Sequence, residues 1–162
     1  RLGTSFMDFL NDDLGGMKNG KKLKAVIPGG SSTPMLTAAE AATLKLDYES
    51  CMSHGTMLGS GAIIVLDDSV SIPHLVHNLS YFYAHESCGQ CTPCREGTHW
   101  MYKILDKLVK GEGKASDLDL LLNICSHVSF RTICALGDAA TGPVKSALER
   151  FRPEFEALVT RS

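Results

Sequence analysis

No apolar run in this sequence approaches the roughly 20 residues that a membrane-spanning helix needs; the longest near the middle, Ala62-Ile63-Ile64-Val65-Leu66, is far too short. Charge of one sign is equally scarce as a block. The 16 basic and 18 acidic residues leave a formal charge of -2 with no long run of either kind, so a phosphate backbone or an anionic lipid surface finds no electrostatic track. Nucleic acid and direct membrane insertion are therefore not expected of this chain. The pattern of a signal peptide is not seen either: Arg1 is not followed by a basic, apolar, small-residue succession, and the start is expected to be a cut through a longer chain. Internal repeats and low-complexity segments are absent. What remains, 162 residues at 44% hydrophobic, is enough for one core of ordinary size or two small ones.

Cysteine is the residue that stands out. There are six, but three of them crowd into Cys88 to Cys94, which is poor geography for disulfides without a secretory context. A reducing compartment and a metal site are expected instead.

The hydrophobic period changes near residue 70. Before it, Phe6, Phe9, Leu10 and Leu14 follow helical spacing behind Thr4 or Ser5 and stop at Gly15-Gly16. Leu23 to Ile27 reads as a strand ended by Pro28-Gly29-Gly30, and Ala62 to Leu66 as another, bounded by Gly59-Ser60-Gly61 and Asp67-Asp68. Between them, residues 38–46 and 48–53 read as helical or turn-like pieces. After it, four helices are expected: one capped at Ser71 with the stripe Ile72, Leu75, Val76, Leu79, Phe82, Tyr83; one through Met101, Ile104, Leu105 and Leu108 to Gly111; one capped at Ser116 or Asp117; and one from about Asp138, with a new start permitted at Pro153. The expectation is an α+β piece, residues 1–70, followed by a helical bundle, residues 71–162, with the polar stretch 67–71 as a hinge.

Cys88, Cys91 and Cys94 lie at spacings of three in a loop between two expected helices, and a loop of that kind can wrap one face of a [4Fe-4S] cube. The fourth iron corner then needs a remote cysteine, Cys134 or Cys125. Cys125 shares an apolar helix stripe with Leu121, Leu122 and Val128, where a free cysteine behaves as a small hydrophobe. Cys134 falls in a break between helices and is the expected fourth ligand. Zinc is the main rival, although structural zinc sites usually draw ligands as two pairs rather than three plus one. Cys94 is followed by Arg-Glu-Gly rather than by the continuation found in two-cluster ferredoxins, so one cluster is expected. Arg95 and the helix N-terminus behind it suit an anionic group.

Gly29-Gly30-Ser31-Ser32 lacks the following Lys-Ser/Thr of a phosphate loop and reads as a turn. His85 and His127 have no paired carboxylate and read as hydrogen-bonded structural groups. Glu86 and Glu96 beside Arg95 read as a salt-bridged rim. Tyr81, Phe82, Tyr83 and Trp100 read as core and subunit interface. No catalytic pair or nucleophile emerges.

The run Tyr83-Ala84-His85-Glu86-Ser87-Cys88-Gly89-Gln90-Cys91-Thr92-Pro93-Cys94-Arg95-Glu96-Gly97 resembles the signature of the NADH-binding flavoprotein subunits of respiratory complex I. Residues 25–34, 55–61 and 132–138 carry further similarity to that family. The resemblance implies a truncated β-grasp domain of the soluble-ligand-binding type over residues 1–70 and an all-α four-helix bundle over 71–162, with Cys88, Cys91, Cys94 and Cys134 as ligands of a [4Fe-4S] cluster. It also implies an NADH dehydrogenase (quinone) in which NADH reduces FMN and the cluster relays electrons to further iron-sulfur centres. Those centres belong to the partners that the resemblance implies, the smaller and the larger iron-sulfur subunits of the hydrophilic arm of complex I. The resemblance further implies a place peripheral to the inner membrane on its cytoplasmic side, or matrix side in a mitochondrion. The family's glycine-rich flavin motif is absent from this chain, so these residues alone are expected neither to bind FMN tightly nor to oxidise NADH. A diaphorase subunit of an NAD-linked hydrogenase or formate dehydrogenase is the close alternative, and a zinc-stabilised interaction module the distant one.

Overall fold

The computed structural model describes residues 1–159 and divides into two compact units, Arg1–Val70 and Ser71 onward. The last three residues of the expected second domain lie outside the described residues.

In the first unit a short helix, α1 (Phe6–Asp8), continues as a π-helical turn over Phe9–Asp13. Ser5 caps it as the sequence suggests, accepting from the Asp8 N–H at 3.4 Å. Strand β1 (Leu23–Ile27) coincides with its expected span and is central to an antiparallel sheet ordered β2-β1-β3, with β2 at Leu36–Thr37 and β3 at Ile64–Asp67. Val26 pairs with Leu36 on one side and Val65 on the other. β3 starts two residues later than expected because the Ala62 carbonyl is already used, accepting from the Gly30 N–H at 2.7 Å. Two short helices follow β2 and precede β3: α2 (Ala38–Ala41) and α3 (Tyr48–Ser53). Thr37 and Glu40 form a reciprocal capping box at the start of α2, satisfying amides that a four-residue helix could not pair internally. The core of the unit gathers Phe6, Leu10, Val26, Leu36, Leu44 and Cys51, and each large side chain of this kind contributes roughly 1.5–3 kcal/mol through burial before the opposing conformational entropy is counted.

The glycines that read as turns also permit a close approach. A Cβ on Gly29 would lie 2.3 Å from the Met57 carbonyl oxygen, and one on Gly59 2.2 Å from the Gly29 carbonyl oxygen. The loops after β1 and before β3 therefore pass backbone against backbone, joined by Ser60 N–H to Gly29 O at 3.1 Å and by the Thr56 hydroxyl to Pro34 O at 2.6 Å.

At the end of β3, Ser69 donates to the Asp67 carboxylate and Lys21 reaches it at 2.9 Å. These two partners, Ser69 first, hold the Asp67 carboxyl down at about 2. A depressed carboxyl stabilises the fold above the ordinary carboxylate range, and that contribution fades as pH falls through the folded value. The expected carboxyl titration of Asp67 by NMR has its midpoint near 2; a midpoint near the ordinary ~3.9 would show that the Lys21 and Ser69 contacts do not persist in solution.

The second unit consists of α4 (Ile72–Glu86), α5 (Thr92–Val109), α6 (Ala115–Val128) and α7 (Leu136–Glu156). Helices α4 and α6 each lie against α5 and α7. Ile72, Met101, Leu105, Leu121, Val144 and Phe155 are among the side chains fully buried there. One helix starts where expected but is capped differently, and two others start elsewhere. Ser71 sits at the first cap position, but its hydroxyl pairs with His74 Nδ1 at 2.9 Å, and the Ile72 N–H goes to Glu154 Oε2 at 3.2 Å. α6 begins before Ser116, because Asp117 reaches back to accept from the Lys114 N–H at 2.9 Å. α7 begins at Leu136 rather than near Asp138. It runs through Pro153 to Glu156 with a kink at Phe151 (φ -126°), since Pro153 cannot donate to the preceding turn.

Of the aromatics expected in core or subunit interface, Tyr83 is buried. Tyr81, Phe82 and Trp100 are each about half exposed, at 54%, 50% and 51%.

Candidate metal centre

Helix α4 stops at Glu86, and Ser87 leaves it in extended conformation. The chain turns at Gly89 (φ +80°), a left-handed conformation that costs glycine little. It re-enters helix at Thr92 with Pro93 in the first turn of α5, where a missing N–H is no loss. Cys91 thus occupies the cap position of α5 and Cys94 its first turn, close to the partial positive charge of the helix N-terminus. Arg95 straps the loop down: its guanidinium donates to Gly89 O at 2.8 Å and to Glu96 Oε1 at 2.9 Å. The expected salt-bridged rim consequently involves Glu96, while Glu86 lines the cavity of the cysteines.

The second loop joins α6 to α7. Phe130 adopts φ +58°, rare for a bulky side chain, and its N–H is held by Asp138 Oδ1 at 2.6 Å. That bond occupies the side chain that the sequence offers as the start of α7. The Thr132 hydroxyl donates to Cys134 O at 2.8 Å, and the Ile133 N–H donates to Cys91 Sγ at 3.5 Å, tying the second loop to the first.

Cys88, Cys91, Cys94 and Cys134 all line one cavity of about 100 Å³, together with Glu86, Ser87, Thr132 and Leu136. Cys94 is buried, Cys91 half-buried, and Cys88 and Cys134 exposed. Among the described residues no group of three or more His, Cys, Asp or Glu side chains is gathered closely enough to hold a metal ion. The donor set of that cavity, all sulfur and drawn as three from one loop and one from another, suits iron-sulfur chemistry.

Cys125 is not part of this cavity. It is buried with its Sγ 3.6 Å from Met101 Sδ, and burial pushes its thiol up to about 12. It stays protonated at neutral pH and is a poor metal ligand. His85 stacks on Tyr81 with ring centroids 6.3 Å apart, and His127 Nδ1 lies 2.9 Å from Asn123 O; neither lines the cysteine cavity. A wider depression of about 340 Å³ between α5 and α6, beside Trp100, contains no thiol. Sequence reasoning does not single out Ser87, Thr132 or Leu136 at the site. Adjacency to Cys88 is the only available signal for Ser87, and it cannot say which sulfur the hydroxyl reaches.

A family model described as the NADH-ubiquinone oxidoreductase-F iron-sulfur binding region matches residues 74–158. The chain belongs to this family. The matched region takes in the four helices, short of the first two residues of α4, and leaves out the sheet, so the cysteine site falls wholly within it. The chain is also 45% identical over 159 residues to the F subunit of the NADH-quinone oxidoreductase of Rickettsia bellii and 46% identical over 159 residues to that of Rickettsia massiliae. In both cases 98% of this chain is covered, and it spans 38% of the relative's length. Among solved structures it is similar to a chain of an NAD+-reducing [NiFe]-hydrogenase in the H2-reduced state, with TM-score 0.84 and 28% identity over 99% of this chain and 26% of that one.

Proposed function

We propose that Cys88, Cys91, Cys94 and Cys134 hold one [4Fe-4S] cluster, and that the chain is the electron-transfer part of an NADH-quinone oxidoreductase flavoprotein subunit. The single observation that carries this reading is the convergence of four thiols, three from one loop and one from another, on a cavity of about 100 Å³. Such a cluster, when bound, accepts and releases one electron at a time. The chain's own residues bind and orient it. Thr132 and Ile133 anchor the Cys134 loop, Arg95 anchors the Cys88–Cys91 turn, the α5 N-terminus favours anionic sulfur, and Leu136 adds an apolar wall. Resting the ligands on the ends of packed helices keeps their positions rigid, as efficient electron passage requires.

On this reading α4 to α7 form a four-helix bundle and Arg1–Val70 is part of a β-grasp domain. FMN and NADH bind outside these residues. The smaller and the larger iron-sulfur subunits of the hydrophilic arm are the partners, at the cytoplasmic or matrix face of the membrane. No helix among the described residues is long and apolar enough to cross a membrane, which fits a peripheral position. The likeness to the NAD+-reducing hydrogenase favours one second reading, the diaphorase subunit of such an enzyme.

The test is anaerobic purification of the full-length subunit in its complex. About four irons and four sulfides per subunit at this site, with an EPR signal that appears on reduction, are expected. One zinc and no reducible signal assignable to these cysteines would replace this reading with a structural zinc module.

A further inference from the structure

We infer that Ser87 is a positioning residue that sets the reduction potential of the cluster through the Cys94 sulfur. The inference rests on the cluster reading above. Ser87 Oγ lies 3.3 Å from Cys94 Sγ, and both side chains line the cavity shared by the four cysteines.

The direction of this hydrogen bond follows from chemistry. A free thiol and a hydroxyl can each donate to the other, but a cysteine bound to iron is a thiolate with no proton to give. The Ser87 O–H must then be the donor. Cys94 is the most buried of the four cysteines at 6% exposure, so water competes weakly for its sulfur and the bond acts in a low-dielectric surrounding. Reduction adds an electron to the group and makes its sulfurs more basic. A donor at that sulfur is held more tightly in the reduced state than in the oxidised one, and the potential rises. The Ile133 N–H on Cys91, at 3.5 Å, acts in the same sense but is longer and belongs to the backbone, so Ser87 is the side chain through which the effect can be read.

The experiment is an EPR-monitored redox titration of the full-length subunit in its complex, comparing wild type with Ser87→Ala and Ser87→Thr. Ser87→Ala is expected to disfavour reduction about tenfold, a downward shift of about 59 mV for one electron, while Ser87→Thr stays near wild type. In electron-nuclear double resonance, an exchangeable proton coupling present in wild type and Ser87→Thr should vanish in Ser87→Ala and on transfer to D2O. Because EPR sees only molecules that hold the cluster, partial loading of a variant leaves the potential readable.

Ser87→Ala titrating at the wild-type potential would overturn the inference. So would loss of the cluster in both variants, since the hydroxyl would then not be what the site requires. A wild-type subunit with no reducible signal at these cysteines would instead remove the cluster reading itself.

Discussion

Replacing Cys134 by serine should empty the metal site, with iron in this part of the subunit falling from about four atoms to fewer than one, whereas Cys125→Ser should leave it loaded. The contrast isolates the fourth ligand because the two residues differ in surroundings rather than in chemistry. Cys134 is exposed, in a loop anchored through Thr132, through Ile133 to Cys91, and through Phe130 to Asp138. It lines the cavity with the other three. Cys125 is packed against Met101 inside α6, with its thiol pushed up to about 12 by burial, and reaching the cavity would mean unwinding that helix. Binding and folding are coupled at such sites, so Cys134→Ser should also lower the melting temperature of the helical unit. Cys125→Ser should cost only about 1–3 kcal/mol, for a hydroxyl placed in a thiol's apolar setting. Iron analysis and thermal melts of the anaerobically prepared subunit check both. Iron retained in the first variant or lost in the second would assign the fourth corner differently.

Gly59→Ala is the second large effect expected, and it concerns the first unit. Gly59 has φ +50°, and its missing Cβ would stand 2.2 Å from the Gly29 carbonyl oxygen. That oxygen belongs to backbone held in place by the Ser60 N–H at 3.1 Å. Relief therefore needs one of the two loops to move, which would break the contacts joining β1's exit to β3's entrance. Strain in a left-handed conformation together with overpacking should cost on the order of 4 kcal/mol, most of the stability of a small domain. Gly15→Ala is the matched control. It has a similar positive φ of +76° but nothing within 4 Å of the new methyl, so it carries the conformational strain without the collision. Denaturant melts should place Gly59→Ala well below Gly15→Ala. Equal midpoints would mean that the two loops do not interlock in solution.

The elements that sequence reasoning locates well are those whose signal is local. β1 ends where Pro28-Gly29-Gly30 ends it, α3 covers residues 48–53 as read, and α5 stops short of Gly111. Such reasoning is least informative where a residue is used by a distant partner. β2 is only Leu36–Thr37, too short for any alternation, and exists because β1 lies beside it. The apolar spacing of the first helix predicts a continuous element, and the π turn at Phe9–Asp13 leaves no mark on that spacing. Asp138 reads in the sequence as a helix start and is instead the acceptor for Phe130. Phe82 follows the apolar stripe of its helix yet is half exposed, because an apolar period does not say how wide a face the neighbouring helices cover.

By itself the sequence determined the type of chemistry. Three cysteines at spacings of three with a fourth at a helix break point to an iron-sulfur group, and the change of period near residue 70 divides sheet from helices. Both are properties of neighbouring residues along the chain. Only the tertiary structure decided which side chains meet. It brought Ser87 to Cys94 and the Ile133 amide to Cys91, placed Gly29 against Gly59, and left Cys125 inside a helix packed on Met101. The physical reason is that such contacts depend on how helix ends and loops pack together, and packing joins residues that no local propensity connects.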